Sequence, residues 1–255
     1  VNTLRPYFND DQVSLYLGDC REILPALGVT ADLVLADPPY VETSLSWDRW
    51  PDGWLDVAAT VSRSLWCFGS LRMYLEHGCE FTAAGWKLSQ DIIWRKTHGT
   101  SRANDRFRRV HEQPSHWYQG RWDGVYHEAV RVPHEGPPQR HGHYGSPTPH
   151  VGTYGGGSWA ETGDRLMQSV IEVPGMWRRG AIHRTEKPVP LLEPLIAYGC
   201  PPGGLVVAPF AGSGSDLEAA RNLGCRAIGI EGDGETCEKA ARRLSQVTLF
   251  GGDAA

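Results

Sequence analysis

The 255-residue chain has no apolar run of the 18 or so residues that a membrane-spanning helix needs. Residues 1–7 carry no basic-then-apolar leader, from which a cytoplasmic location is expected. Its six cysteines (Cys20, Cys67, Cys79, Cys200, Cys225 and Cys237) include no CxxC pair, so neither a zinc knuckle nor a disulfide framework is indicated. Buried free thiols are expected instead. No GxxxxGK[ST] occurs, which argues against a P-loop nucleotide site. His127, His134, His141, His143 and His150 match no helical i,i+4 pair or finger spacing, so no metal site is expected. Basic residues are also in deficit: 25 Lys and Arg against 30 Asp and Glu leave a net charge of −5.

The distribution of charge says more than its sum. Residues 1–60 hold 3 basic and 10 acidic side chains, whereas residues 95–140 hold 9 basic and 5 acidic. A polyanion responds to the local patch, and most of these cations are arginines, which can fork onto phosphate or a guanine edge.

Residues 15–17 and 31–36 (ADLVLA) read as strands, the second a buried parallel strand closed by Asp37-Pro38-Pro39-Tyr40. A short helix is predicted at 21–27, a helix over 54–65, a strand at 64–68 and a helix near 71–76. A further strand is predicted at 87–95. From about 97 to 179 the pattern fails, in a stretch rich in Gly, Pro, His and Arg. Regular structure returns with a helix from Lys187-Pro188 through 198, then a strand at 205–208, a glycine loop, a helix at 216–223, a strand at 227–230 and a helix at 235–244. The whole reads as a parallel α/β sheet with one insertion. The expected division is a catalytic half at 1–96, an inserted recognition region at 97–180 and a cofactor-binding half at 181–255.

Two loops carry chemistry. In residues 205–215 (LVVAPFAGSGS), Gly212 and Gly214 let backbone approach a ligand closely, and the helix that follows offers unpaired N–H groups. Glu231, about 20 residues on at the end of the next strand, is placed to take two ribose hydroxyls, so a nucleoside-bearing ligand fits. At 37–40, two prolines remove N–H donors and leave a carboxylate, carbonyls and an aromatic ring. That set suits a planar base with an exocyclic amine: Asp37 and the Pro38 carbonyl accept its hydrogens and Tyr40 stacks on its ring. A nucleotide has to leave the helix to reach such a pocket.

These segments together resemble the β-group DNA amino-methyltransferases of bacteria and phage, the DPPY-type N6-adenine/N4-cytosine family. The resemblance is carried by LYLGDC (15–20), DLVLADPPY (32–40), HRTEKP (183–188), VVAPFAGSGS (206–215) and IGIEGD (228–233), in that order. It covers nearly the whole chain apart from roughly 120–180. It implies a Rossmann-like class I methyltransferase sheet with helices on both faces, a circularly permuted motif order and an inserted target-recognition region. It further implies S-adenosylmethionine (AdoMet) as cofactor, double-stranded DNA as partner, a possible homodimer, and transfer of a methyl group to adenine N6 by direct attack of the amine nitrogen.

By the same resemblance, Asp37, Pro38, Pro39 and Tyr40 form the target-base pocket. Asp19 and Cys20 face the adenine of the cofactor, while His183, Thr185 and Lys187, with Asp37, border its methionine end. Pro209, Phe210, Ala211, Gly212, Ser213, Gly214, Glu231 and Gly232 hold its methionine and ribose parts. Arg102, Arg106, Arg108, Arg109, His111, Arg121 and Arg140 are the candidate DNA contacts, and Trp117, Trp122 and Trp159 could stack on bases. The chain has no Pro-Cys dipeptide, which a carbon-5 cytosine enzyme would use as nucleophile. Cytosine N4 and an RNA base remain alternative targets. The pattern departs at Ala208, where the family usually has Asp to support the AdoMet loop or its ammonium group. A DNA-binding relative with impaired catalysis is therefore a further alternative, and Ala208→Asp is expected to tighten AdoMet binding.

Overall fold

A computed structural model of the chain describes residues 4–45, 47–96, 105, 107–133, 164–175 and 186–250, with side chains to 246. The first half runs β1 (Phe8–Asn9), β2 (Val13–Leu17), α1 (Cys20–Leu27), β3 (Leu33–Ala36), α2 (Trp54–Val61), β4 (Ser64–Cys67), α3 (Leu71–Ala83) and β5 (Lys87–Asp91). Short strands follow: β6 (Ile93–Arg95), β7 (His111–Glu112), β8 (Ser115–Tyr118), β9 (Arg131–Pro133), β10 (Asp164–Leu166) and β11 (Val170–Glu172). The last part is α4 (Val189–Gly199), β12 (Leu205–Ala208), α5 (Ser215–Asn222), β13 (Arg226–Glu231) and α6 (Gly234–Phe250).

The unbroken apolar runs become the central strands, because a strand covered on both faces has no use for polar alternation. β3, β4 and β12 are buried at every position. The main sheet has the order β1-β2-β13-β12-β3-β4-β8-β5. β2, β13, β12, β3 and β4 are mutually parallel, whereas β1, β8 and β5 pair antiparallel at the edges. From β3 the chain crosses through α2 to β4 on one side. From β12 it crosses through α5 to β13 on the other. Right-handed crossovers in opposite directions put the two helices on opposite faces. Consistent with this, α1 packs on α2, while α4 and α6 pack on α5.

Two compact units are resolved by contact: residues 1–128 with 169–255, and residues 129–168. The second contains the antiparallel pair β9–β10. The expected insertion boundaries were 96/97 and 180/181, but β8 lies inside the main sheet, between β4 and β5. Its sequence, SHWY, reads as polar, yet Ser115 and His116, on opposite faces of the strand, both lie inside the fold. Both are almost fully buried, with His116 Nε2 3.0 Å from Ser64 Oγ and the Trp117 indole N–H donating to Ser115 Oγ at 2.7 Å. Polar side chains buried in this way, with His116 Nδ1 unpartnered among the described residues, leave no apolar signature for a sequence reading to find.

Elsewhere the agreement is close. The strand expected at 205–208 is β12 residue for residue, and the helices at 21–27, 187–198 and 216–223 shift by one or two positions. The helix expected near 71–76 continues to Ala83, past Gly78 and Cys79, because Phe81 returns to the core. The single strand expected at 87–95 is two, β5 and β6, broken at Ile92, whose N–H donates to Pro114 O. Of the six free cysteines five are buried, and Cys79 is exposed. No helix among the described residues is long and apolar enough to cross a membrane.

Candidate active site

β12 and β3 are neighbours in the centre of the sheet, paired Val206↔Leu33 and Val207↔Val34, and from them the chain winds away in opposite directions. That arrangement is a topological switch point, where open α/β sheets leave a crevice at the carboxyl ends of their strands. Residues 37–40 leave β3 there and residues 209–214 leave β12. Loops about 170 positions apart in sequence thereby become two walls of one cleft. The cavity between them is small, about 50 Å³, and opens to solvent. Asp37, Lys187, Phe210, Ala211, Gly212 and Asp216 are among its lining residues.

Asp37 is held on both oxygens. The Lys187 ammonium donates to Oδ2 at 2.5 Å and the Tyr40 hydroxyl to Oδ1 at 2.7 Å. Lys187 is 6% exposed and also lies 3.4 Å from Glu112 Oε2, an ion-pair distance; Lys96 pairs with Glu112 from its other side. Burial works against the Lys187 charge, but Asp37 and Glu112 outweigh it and raise its pKa. Burial likewise works against the Glu112 charge, and Lys187 and Lys96 overcome it, lowering that pKa. Burial beside Asp37 pushes the Tyr40 phenol well up, so it stays a donor. The result is a neutralised lattice, Lys96–Glu112–Lys187–Asp37, beneath the Asp37 loop. Sequence reasoning missed Glu112 and Lys96, since nothing in a two-residue strand reading HE signals a buried counter-ion.

The loop after Tyr40 is shaped by a second carboxylate. Asp48 accepts the N–H groups of Val41 (2.8 Å), Glu42 (3.0 Å) and Thr43 (2.7 Å), and the Thr43 hydroxyl at 2.7 Å. Burial works against its charge, but these donors win and hold its carboxyl below the usual range. They also hold Val41 at φ 58°, a left-handed conformation costly for a β-branched residue. Glu42 takes Ser70 Oγ and the Arg109 guanidinium.

The wall after β12 is built from backbone. Phe210 packs edge-on against Trp54 with ring centroids 5.3 Å apart, and Gly214, at φ 75°, caps α5. A Cβ added to Gly212, at φ 51°, would meet no protein atom within 4 Å, so this backbone faces open space. Glu231 Oε2 accepts the Gly212 N–H and Oε1 the Asp233 N–H, each at 2.8 Å. Burial raises its pKa, and those two N–H groups offset part of the rise. Gly232 follows it at the end of β13. Pro209 and Ala208 are not among the residues lining the cleft, and Ala208 is fully buried in the sheet. Asp19 is the N-cap of α1, accepting the Arg21 N–H at 2.8 Å, and pairs with the Arg21 guanidinium. Cys20 is buried beside it, its thiol pushed up to about 12 chiefly by burial.

The sequence-predicted residues His183, Thr185, Arg102, Arg106, Arg140 and Trp159 lie outside the described residues, as do His134, His141, His143 and His150. Among the DNA candidates that are described, Arg109 is engaged with Glu42 and Arg121 with Asp123, while His111 is exposed on β7. Arg108 is described too. Trp117 is a core residue rather than a base-stacking one, 7% exposed and stacked on Phe81 at 4.4 Å. Trp122 stacks on His127 at 4.2 Å. Besides Glu112 and Lys96, the sequence reading missed Asp216 and Glu186, both on the wall of the cleft.

The sequence profile of the DNA methylase family (N6_N4_Mtase) matches residues 31–242. The type II methyltransferase M2.DpnII of Streptococcus pneumoniae is 23% identical over 279 residues, spanning 94% of this chain and 92% of its own length. M2.LlaDCHI of Lactococcus lactis subsp. cremoris, also a type II methyltransferase, is 21% identical, spanning 97% and 94%. Among solved structures, the M1.HpyAVI–SAM complex superposes with a TM-score of 0.63 at 20% identity, over 91% of this chain and all of that one. The cytosine-N4-specific PvuII DNA methyltransferase superposes at 0.66 and 14% identity, over 97% of this chain and 94% of that one. These structural likenesses speak for the fold. The profile, running from before β3 into α6 and across both walls of the cleft, places the chain in the N6/N4 DNA methylase family.

Proposed function

We propose that this DNA methyltransferase is site-specific, and that it methylates the exocyclic N6 of an adenine flipped out of duplex DNA, with AdoMet as donor. One observation carries the reading: a single cleft has the Asp37 carboxylate on one wall and the 210–213 glycine loop on the other. The residues present suit AdoMet. Gly212 opens onto free space, Glu231 offers a strand-end carboxylate for ribose hydroxyls, and acids on the wall suit a cationic ligand. Phe210, Ala211, Gly212, Ser213 and Glu231 would hold it, with Asp19, Cys20, His183 and Thr185 assigned to its borders. When bound, AdoMet supplies a methyl group activated by the sulfonium sulfur.

The chain's own part is positioning and electrostatics. Asp37 and the Pro38 carbonyl accept the two amine hydrogens and hold the nitrogen lone pair toward the cofactor wall. Each carboxylate oxygen has two acceptor sites, so Asp37 keeps capacity beyond Tyr40 and Lys187. The lattice beneath it fixes the direction in which Asp37 points. Pro38, buried and without an N–H, adds no competing donor. Asp37 in the first motif position is the feature that favours adenine. Segment 97–180 is assigned to target recognition, with Arg108, Arg109, His111 and Arg121 its described candidates for DNA contact.

Nucleoside mass spectrometry of DNA from a methylation-free host expressing the chain, beside Asp37→Ala, tests this. N6-methyladenine present only with the parent is the expected result. N4-methylcytosine would keep the site and change the base; an unmethylated genome with folded protein would sink the reading.

A further inference from the structure

Asp216 lies in the first turn of α5, on the wall of the cleft, and is 9% exposed. Its carboxylate accepts one hydrogen bond among the described residues, from the Leu217 N–H at 2.9 Å to Oδ1. No described cation forms an ion pair with it. Lys187 pairs with Asp37 and Glu112, and Arg243 with Glu186 and Glu218. The other acids lining the cleft are satisfied by these same cations: Asp37 by Lys187, with the Tyr40 hydroxyl donating to its other oxygen, and Glu186 by Arg243. Of the described acids that line the cleft, Asp37, Glu186 and Asp216, Asp216 is therefore the one without an ion pair to a described cation. Burial, with the Asp37 charge adding to it, pushes its carboxyl up to about 7, even though the Leu217 N–H and Arg243 work the other way. A buried carboxylate left in that state is costly until a cation reaches it.

We propose that Asp216 is the anionic partner of the donor's α-ammonium group. The assignment rests on the cleft being the AdoMet site. An ammonium brings N–H donors that a carboxylate accepts. A sulfonium brings none, and its methyl group has to face the Asp37 wall.

The test is calorimetric titration of the full chain and of Asp216→Asn with three ligands, alongside the melting temperature of each unliganded protein. The ligands are AdoMet, S-adenosylhomocysteine, and 5′-methylthioadenosine, which keeps the nucleoside and thioether but lacks the amino-acid end. Loss of a charge-assisted bond predicts a roughly tenfold or greater weakening for AdoMet and S-adenosylhomocysteine alike, with methylthioadenosine unchanged. Removing a buried unpaired charge predicts a higher melting temperature for empty Asp216→Asn, and Asp216→Glu should retain more affinity than Asn. Unchanged AdoMet affinity in folded Asp216→Asn would overturn the assignment and leave the cleft as the cofactor site. A loss confined to AdoMet would move the contact to the sulfonium and overturn it as well. Equal weakening of all three ligands with a lower melting temperature would mean a structural role. If the parent chain itself bound neither AdoMet nor S-adenosylhomocysteine, the cleft reading would fall, and this assignment with it.

Discussion

The two walls of the cleft are built on opposite plans. The wall proposed to hold the cofactor is a strand, a glycine loop and a helix start, held by backbone groups: the Gly212 N–H on Glu231, and Gly214 as cap of α5. Its parts are contiguous except for Glu231, one crossover away. The target wall is a short loop whose shape comes from side chains far off in sequence. Lys187 reaches Asp37 across 150 positions, and Glu112 and Lys96 stand behind Lys187. A nucleoside ligand presents similar groups to many proteins and can be met by main chain. An amine held for reaction needs one carboxylate aimed in one direction, and aiming a charge in a dry site needs counter-charges.

If that contrast is right, single changes on the target wall should be severe and those on the periphery mild. Asp37→Ala should lower methyl transfer by roughly 10²- to 10³-fold or more while AdoMet affinity stays within a few-fold. Ala also strips Lys187 of its shorter ion pair, so Asp37→Asn and a melting curve should accompany it; near-normal turnover in either variant would remove Asp37 from the mechanism. Lys187→Met should cost about 3–5 kcal/mol of stability, because it leaves Asp37 and Glu112 buried without their shared cation. Denaturant unfolding showing a loss under 1 kcal/mol would mean the lattice is not a unit. Asp48→Ala should cost about 1–3 kcal/mol and raise KM for DNA more than it lowers kcat, since four donors and the strained Val41 lose their acceptor. An unaltered KM would separate the loop from DNA binding.

The pH dependence of the empty protein should set the walls against each other. Asp216 has a raised folded-state pKa, so its ionisation opposes folding, and that penalty is relieved as pH falls from about 7 toward 4. Glu112 and Asp48 have lowered folded-state pKa values, so their contribution is present above the ordinary carboxylate range and lost on acidification below it. The melting temperature should therefore rise from pH 8 to about 5 and fall below about 4. Asp216→Asn should flatten the upper limb alone, and an unchanged upper limb would count against a buried acidic Asp216. The smallest effect is expected at Arg121, whose pair with Asp123 is exposed. Arg121→Ala should leave the melting temperature unchanged. If Arg121 meets a phosphate, the slope of log affinity against log salt should shallow by about one.

How much of this was legible in the sequence follows the same division. β12, its glycine loop and Glu231 are local patterns, and they stand where the periodicity put them. The DPPY loop was legible as a carboxylate presented by prolines at a strand end. Glu112, Lys96 and Asp216 were not, because a buried counter-ion has the same local signature as a surface charge. β8 was hidden for the related reason that its inward side chains are polar and pair with a strand some 50 positions earlier. Trp117 looked like a stacking candidate and proved to be core, since aromatic identity does not say which face a strand buries.

What the sequence by itself determined was most of the elements outside 97–179, the two reactive loops and the order in which they occur. Apolar runs, glycines and prolines act on their immediate neighbours, and those effects survive without a fold. The tertiary structure alone decided that the two loops share one cleft, because only the pairing of β12 with β3 brings the strand ends together. It decided, too, which of the acids lining the cleft are neutralised by a cation and which is not. Charge compensation acts through space at a few ångströms, and distance in space is what a sequence does not record.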